Sequence, residues 1–126
     1  MMLLTKAIEA KLRENGEINL AHRMRDGNTE DFKPVVKFFN PRGAATWLIS
    51  EISDEGEDMD GNHDMILFGL CDMGFGSPEM GNVSLNELKS VKVGYGLGIE
   101  RDLHFTATKT LTEYAKDARV AGRITV

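Results

Sequence analysis

The sequence predicts an α+β fold: a small, mostly antiparallel sheet of four to five strands with an N-terminal helix, a short middle helix and a C-terminal helix. Three observations carry this prediction. Leu4, Ile8 and Leu12 recur at the four-residue spacing of a helix face. Short apolar runs such as Val35-Val36-Lys37-Phe38-Phe39 have strand composition and end in turn residues. Ser84-Leu85-Asn86-Glu87 and Thr110-Leu111-Thr112-Glu113 both have the form of a capping box, in which a hydroxyl and a glutamate three residues on satisfy the first helical N–H groups.

The first helix is expected over residues 5–15, with Thr5 as its N-cap and Gly16 at its left-handed end. Residues 17–33 are polar, hold a turn at Asp26-Gly27-Asn28 and read as a short helix or loop before Pro34. Strands follow at Val35–Phe39, Thr46–Ile52 and Met65–Cys71; the last is apolar on both faces and therefore expected inside the sheet. The acidic stretch Ser53–Asp64 is expected to be a solvated loop held open by its own charge. Gly74, Gly76, Pro78 and Gly81 mark an irregular connection to the middle helix, and Gly94, Gly96 and Gly98 mark another. In Ile99–Phe105 apolar and polar residues alternate, so Glu100, Asp102 and His104 are expected to share the exposed face of a strand.

A chain of 126 residues, 41% apolar and 28% charged, is expected to form one domain over residues 1–126 with a core of its own. Cys71 is the sole cysteine, which excludes an intrachain disulfide and suits a reducing compartment. The first residues alternate between apolar pairs and charges, too short a run for a signal peptide or a membrane span, so the expected location is cytoplasmic. A net charge of minus five argues against direct binding to nucleic acid, which needs clustered cations to displace counterions from phosphates. The distribution says more than the total: no Lys or Arg lies between Arg42 and Lys89, an interval with ten carboxylates.

The segments Val36–Pro41, Thr46-Trp47, Phe68-Gly69-Leu70, Ser84–Leu88 and Gly98–Phe105, in that order, resemble the bacterial family catalogued as domain of unknown function twenty-nine fifty-eight. The resemblance spans residues 3–115. It implies a setting on chromosomes, plasmids and phages, near genes for DNA transfer or for evading host defence, and no active-site residues. Where this chain has His104, members more usually carry an aromatic residue.

Of the chemistry-bearing residues, Asp102 and His104 are spaced to give a carboxylate-oriented general base, with no nucleophile attached to them by any motif. Asp58, Asp60, Asn62 and Asp64 alternate like calcium ligands, but Gly61 comes too early and position 69 is glycine, so no metal and no cofactor is expected. Gly94-Tyr95-Gly96-Leu97-Gly98 precedes a strand, which suits turns better than a phosphate loop. Phe38, Phe39, Trp47, Phe68 and Phe105 read as core.

The leading expectation is therefore a non-catalytic protein-binding accessory factor of a mobile element. Glu51, Asp54, Glu55, Glu57, Asp58, Asp60 and Asp64, with the loop aromatics Phe75 and Tyr95, would engage a basic protein surface such as that of a nucleic-acid-binding protein, and so inhibit host nucleic-acid-directed defence. The alternatives are a small hydrolase or transferase using Asp102 and His104, and a subunit that oligomerises through strand edges.

Overall fold

The computed structural model describes residues 2–126. Its elements run α1 (Lys6–Arg25), β1 (Val36–Phe39), β2 (Thr46–Glu57), β3 (His63–Asp72), β4 (Glu79–Ser84), α2 (Leu85–Ser90), β5 (Glu100–Arg101) and α3 (Leu111–Ala121). The five strands form one antiparallel sheet in the order β4-β3-β2-β1-β5, a four-strand meander with β5 returning beside β1. The fold is α+β, with helices at the beginning, middle and end as expected.

Each face of the sheet buries its own cluster. Alternation along β2 and β3 sends Trp47, Ile49, Ile52 and Leu67 to one side, where Leu12 of α1 and Leu85 and Leu88 of α2 complete the core. Leu48 and Leu70 point to the other side, under Leu111, Tyr114, Ala115 and Ala118 of α3. Thr5 caps α1 by accepting from the Ile8 N–H at 3.1 Å. The Thr110–Glu113 capping box is complete in both directions, and α3 ends at Gly122 with φ 76°. In α2 the Ser84 hydroxyl accepts from the Glu87 N–H at 3.1 Å.

Four boundaries differ from the sequence expectation, each for a tertiary reason. The first helix does not stop at Gly16 but continues to Arg25. Strand β1 pairs with β2 only from Thr46 to Ile49, and beyond Ile49 helix α1 lies along that edge. Asn15 Nδ2 donates to the Ser50 carbonyl at 2.9 Å, and a Cβ on Gly16 would sit 1.9 Å from the Ile52 carbonyl oxygen. Glycine is therefore required there for close approach, not for a left-handed turn.

The acidic stretch is not an open loop: β2 runs to Glu57, β3 begins at His63, and only residues 58–62 turn. Asp58 organises that turn by accepting from the N–H groups of Asp60 and Asn62, each at 2.9 Å. Glu79–Ser84, expected to be irregular, forms edge strand β4 against β3. Conversely, the strand expected over residues 99–105 is confined to Glu100–Arg101. Asp102 Oδ1 accepts from the His104 N–H at 2.9 Å, a side-chain turn that ends the extended run.

Candidate functional site

The carboxylates expected to share one surface divide by role. Asp64 is 8% exposed. Its Oδ1 accepts from the N–H groups of Met65 at 2.8 Å and Asn86 at 2.9 Å, while Oδ2 accepts from the Ser84 hydroxyl at 2.5 Å. Burial opposes its ionisation, but these three donors outweigh burial and hold the carboxyl below the ordinary aspartate range. Asp64 thus pins the N-terminus of α2 to the start of β3. Glu55 is held by Arg13 at 2.7 Å, and Arg13 also reaches Glu9 at 3.3 Å; His63 lies 3.6 Å from the same glutamate. The Arg13 hydrogen bond lowers the Glu55 pKa.

Asp54, Glu57, Asp58 and Asp60 stay together at the β2–β3 tip. A cleft of about 540 Å³ opens between this tip and α2, and its wall contains Asp54, Glu57, Asp58, Asp60, Asp64 and Glu87 with no Lys, Arg or His. Asn86 ties the two sides, donating from Nδ2 to Asp58 Oδ2 at 2.9 Å and to the His63 carbonyl at 2.8 Å. The N–H of Asn62, then Asn86, hold the Asp58 pKa below its ordinary value. Met59 projects fully into solvent at the apex. Ser84-Leu85-Asn86-Glu87 is legible from sequence as a helix cap and Asp58-Met59-Asp60-Gly61-Asn62 carries a turn signal, but nothing local announces that α2 folds beside that turn or that Asn86 and Met59 belong to the site.

Glu51 belongs elsewhere. The β2–β3 register slips between Ile49 and Glu51 and again between Ile52 and Asp54, leaving Ser50 and Ser53 as the extra residues. The first slip sets Glu51 opposite Phe68, on the α3 face, where it is 4% exposed. Its Oε1 accepts from Asn19 Nδ2 at 3.0 Å, and among the described residues no donor reaches Oε2. Burial raises its pKa, partly offset by Asn19 and by the charge of Arg23. Because the folded state then holds a proton that the unfolded state releases at an ordinary glutamate pKa, stability falls as pH rises through the interval between the two. Urea denaturation across pH 4–8 is expected to show this decline in the parent chain and a flatter profile in Glu51→Gln.

Phe75 and Tyr95 are exposed, as loop aromatics were expected to be, but they lie at the other end of the sheet. Phe75 follows Asp72, which pairs with Thr46, whereas the acidic tip follows Glu57 at the far end of β2, roughly 30 Å away at about 3.3 Å per strand residue. Arg42, in the β1–β2 turn, stacks 4.5 Å from the centre of the Tyr95 ring. The acids and the aromatics therefore do not form a single surface.

Asp102 and His104 are not side by side on a strand. Asp102 accepts from the backbone N–H of His104, then faces Lys37 at 3.4 Å, and these contacts lower its pKa against the opposing effect of burial. Lys37 also donates to the Val126 carbonyl. Arg101, on the apolar side of β5, reaches back to the Met2 carbonyl at 2.7 Å and the Leu3 carbonyl at 3.2 Å. Cys71 is partly buried, and burial raises the pKa of its thiol. Among the described residues, no three His, Cys, Asp or Glu side chains converge closely enough to hold a metal ion. No helix among them is long and apolar enough to cross a membrane.

The architecture and its acidic tip define a small α+β protein built on an antiparallel meander. A family model described as "Protein of unknown function (DUF2958)" matches residues 3–125, and the chain belongs to that family. No curated protein and no solved structure matches it.

Proposed function

We propose that the protein is a non-catalytic binding module that receives a Lys- or Arg-rich segment of a partner protein in the cleft at the β2–β3 tip. The observation that carries this reading is the cleft wall itself, six carboxylates without a cation among them. A concave site lined by one sign of charge concentrates field lines, speeds capture of the opposite charge and rejects like-charged competitors. Met59 at the apex adds an adaptable apolar contact. Basic segments of this kind are common on proteins that grip nucleic acid. Binding one would suit an accessory factor of a mobile element that blunts nucleic-acid-directed host defence.

The test uses exposed acids that tie no second element in place; Asp54 accepts only from the adjacent Glu55 N–H, at 2.9 Å. Asp54, Glu57 and Asp60 are exposed, whereas Glu55 and Asp58 anchor Arg13 and the turn. A labelled arginine-rich peptide is expected to bind the parent chain at about 0.01 M salt and to weaken at about 0.1 M, as the Debye length drops from about 30 Å to about 10 Å. The variant Asp54→Lys/Glu57→Lys/Asp60→Lys is expected to lose at least ~10-fold in affinity, with stability unchanged to within about 1 kcal/mol. Equal binding by parent and variant would remove the proposal.

A further inference from the structure

On the α3 side of the sheet lies a second cleft, of about 550 Å³, within the usual range for a small-ligand site. Its wall joins Glu51 and Phe68 of the sheet, Asn19 and Arg23 of α1, the segment 29–32 and the first turn of α3. The segment is fixed in place: Glu30 N–H donates to Asn19 Oδ1 at 2.8 Å, Leu111 N–H to the Phe32 carbonyl at 2.9 Å, and Thr112 N–H to Asp31 Oδ1 at 3.1 Å. The α3 N-terminus is thereby already satisfied and offers nothing to an anion. Glu51, by contrast, is 96% withdrawn from solvent and lacks a donor at Oε2. A buried acceptor without a donor is destabilising, more so when charged, so a ligand that supplied the donor would recover that cost.

We infer that this cleft binds an organic cation, an amidinium or guanidinium on an apolar body, with an N–H on Glu51 Oε2 and the body against Phe68. Two further features of the wall favour a cation over an anion, and a third suits its apolar body. Glu51, Glu30 and Asp31 outnumber the single cation Arg23. Phe32 and Phe68 line the same cleft as Glu51, and aromatic side chains attract a partly desolvated cation. Met80 and Leu111 supply an apolar lining for the body. The site is independent of the acidic tip: it uses none of Asp54, Glu57, Asp58 or Asp60.

Titration of the full chain with benzamidine, followed by amide resonances, tests the inference directly. Saturable shifts centred on Glu51, Asn82 and Thr112 are expected, with the neutral near-isostere benzamide at least ~10-fold weaker. Glu51→Gln, which keeps an oxygen for Asn19, is expected to bind benzamidine at least ~10-fold more weakly. Arg23 is exposed, and Arg23→Ala is expected to bind several-fold more tightly because a like charge leaves the rim. That variant keeps the test alive should Glu51→Gln fail to fold. Absence of saturable shifts in the parent chain, or equal affinity for benzamidine and benzamide, would overturn the inference. A capped Gly-Arg-Gly peptide separates two sources of the cation: binding as tight as benzamidine assigns the site to a protein side chain, and binding by benzamidine alone assigns it to a free small molecule. Because the triple lysine variant at the acidic tip leaves this cleft intact, it is expected to bind benzamidine like the parent, so failure at one site is read separately from failure at the other.

Discussion

Gly16→Ala is expected to destabilise the protein by about 3 kcal/mol or more, the reverse of what the same change does in an ordinary helix. In an exposed helix interior, alanine gains about 1 kcal/mol over glycine by restricting the unfolded backbone. Here the added methyl would lie 1.9 Å from the Ile52 carbonyl oxygen and 3.0 Å from its carbon. Both are backbone atoms in a paired strand, so no rotamer change relieves the clash, and α1 must move off β2. That movement lengthens the Asn15–Ser50 bond, now 2.9 Å, and the Asn19–Glu51 bond, now 3.0 Å. Gly56→Ala is the control: a Cβ there meets nothing within 4 Å, so stability is expected to change by less than about 0.5 kcal/mol. Chemical denaturation of the two variants beside the parent decides the matter; equal midpoints for parent and Gly16→Ala would mean that helix and strand are not in contact.

The same glycine shows where the sequence stops being legible. Leu12, Asn15, Gly16 and Asn19 follow the spacing of one helix face, and all four are buried. Three of the four are polar or lack a side chain, so a search for apolar periodicity ends the helix at the glycine. The face exists to bond the unpaired edge of β2, a need that appears only once β1 has stopped pairing at Ile49. Elements specified locally were readable: Thr5, Ser84 and Thr110 each cap the helix that follows. Strand β4, Glu-Met-Gly-Asn-Val-Ser, has no strand composition and owes its conformation to the partner edge of β3. The Asp54–Glu57 end of β2 is exposed and highly charged, and it too is extended because β3 pairs with it. At Ile99–Phe105 the error runs the other way, because alternation suggested a strand that the Asp102 side chain interrupts.

Legibility of the candidate site follows the same division. The charge asymmetry was visible in the chain, and the acidic cleft is where part of it accumulates. Composition could not separate acids that present charge from acids that hold the fold. Glu51 and Asp64 are buried and Glu55 is paired, because a bulge, a helix N-terminus and an arginine from α1 meet them there.

Asp64→Ala is the sharpest test of that separation, with an expected cost of at least about 3 kcal/mol. Removing the carboxylate strands the N–H groups of Met65 and Asn86 and takes the acceptor from the Ser84 hydroxyl, where each buried donor left unmade costs about 1–3 kcal/mol. Asp64→Asn keeps one acceptor oxygen for the two N–H groups and is expected to lose only about 1 kcal/mol. The pH profile gives the independent signature. Since the folded-state pKa of Asp64 lies below its ordinary value of 3.8, the folded chain binds fewer protons than the unfolded chain in the interval between them. Its contribution is therefore fully present above the ordinary value and is lost as pH falls through the folded one. Relative to the parent, Asp64→Asn should show a shallower loss of stability on acidification, while the triple lysine variant at the tip retains the Asp64 contribution intact. If Asp64→Ala proved as benign as the surface lysines, the carboxylate would not be what fastens α2 to β3, and the cleft between them would have to be held by Asn86 alone.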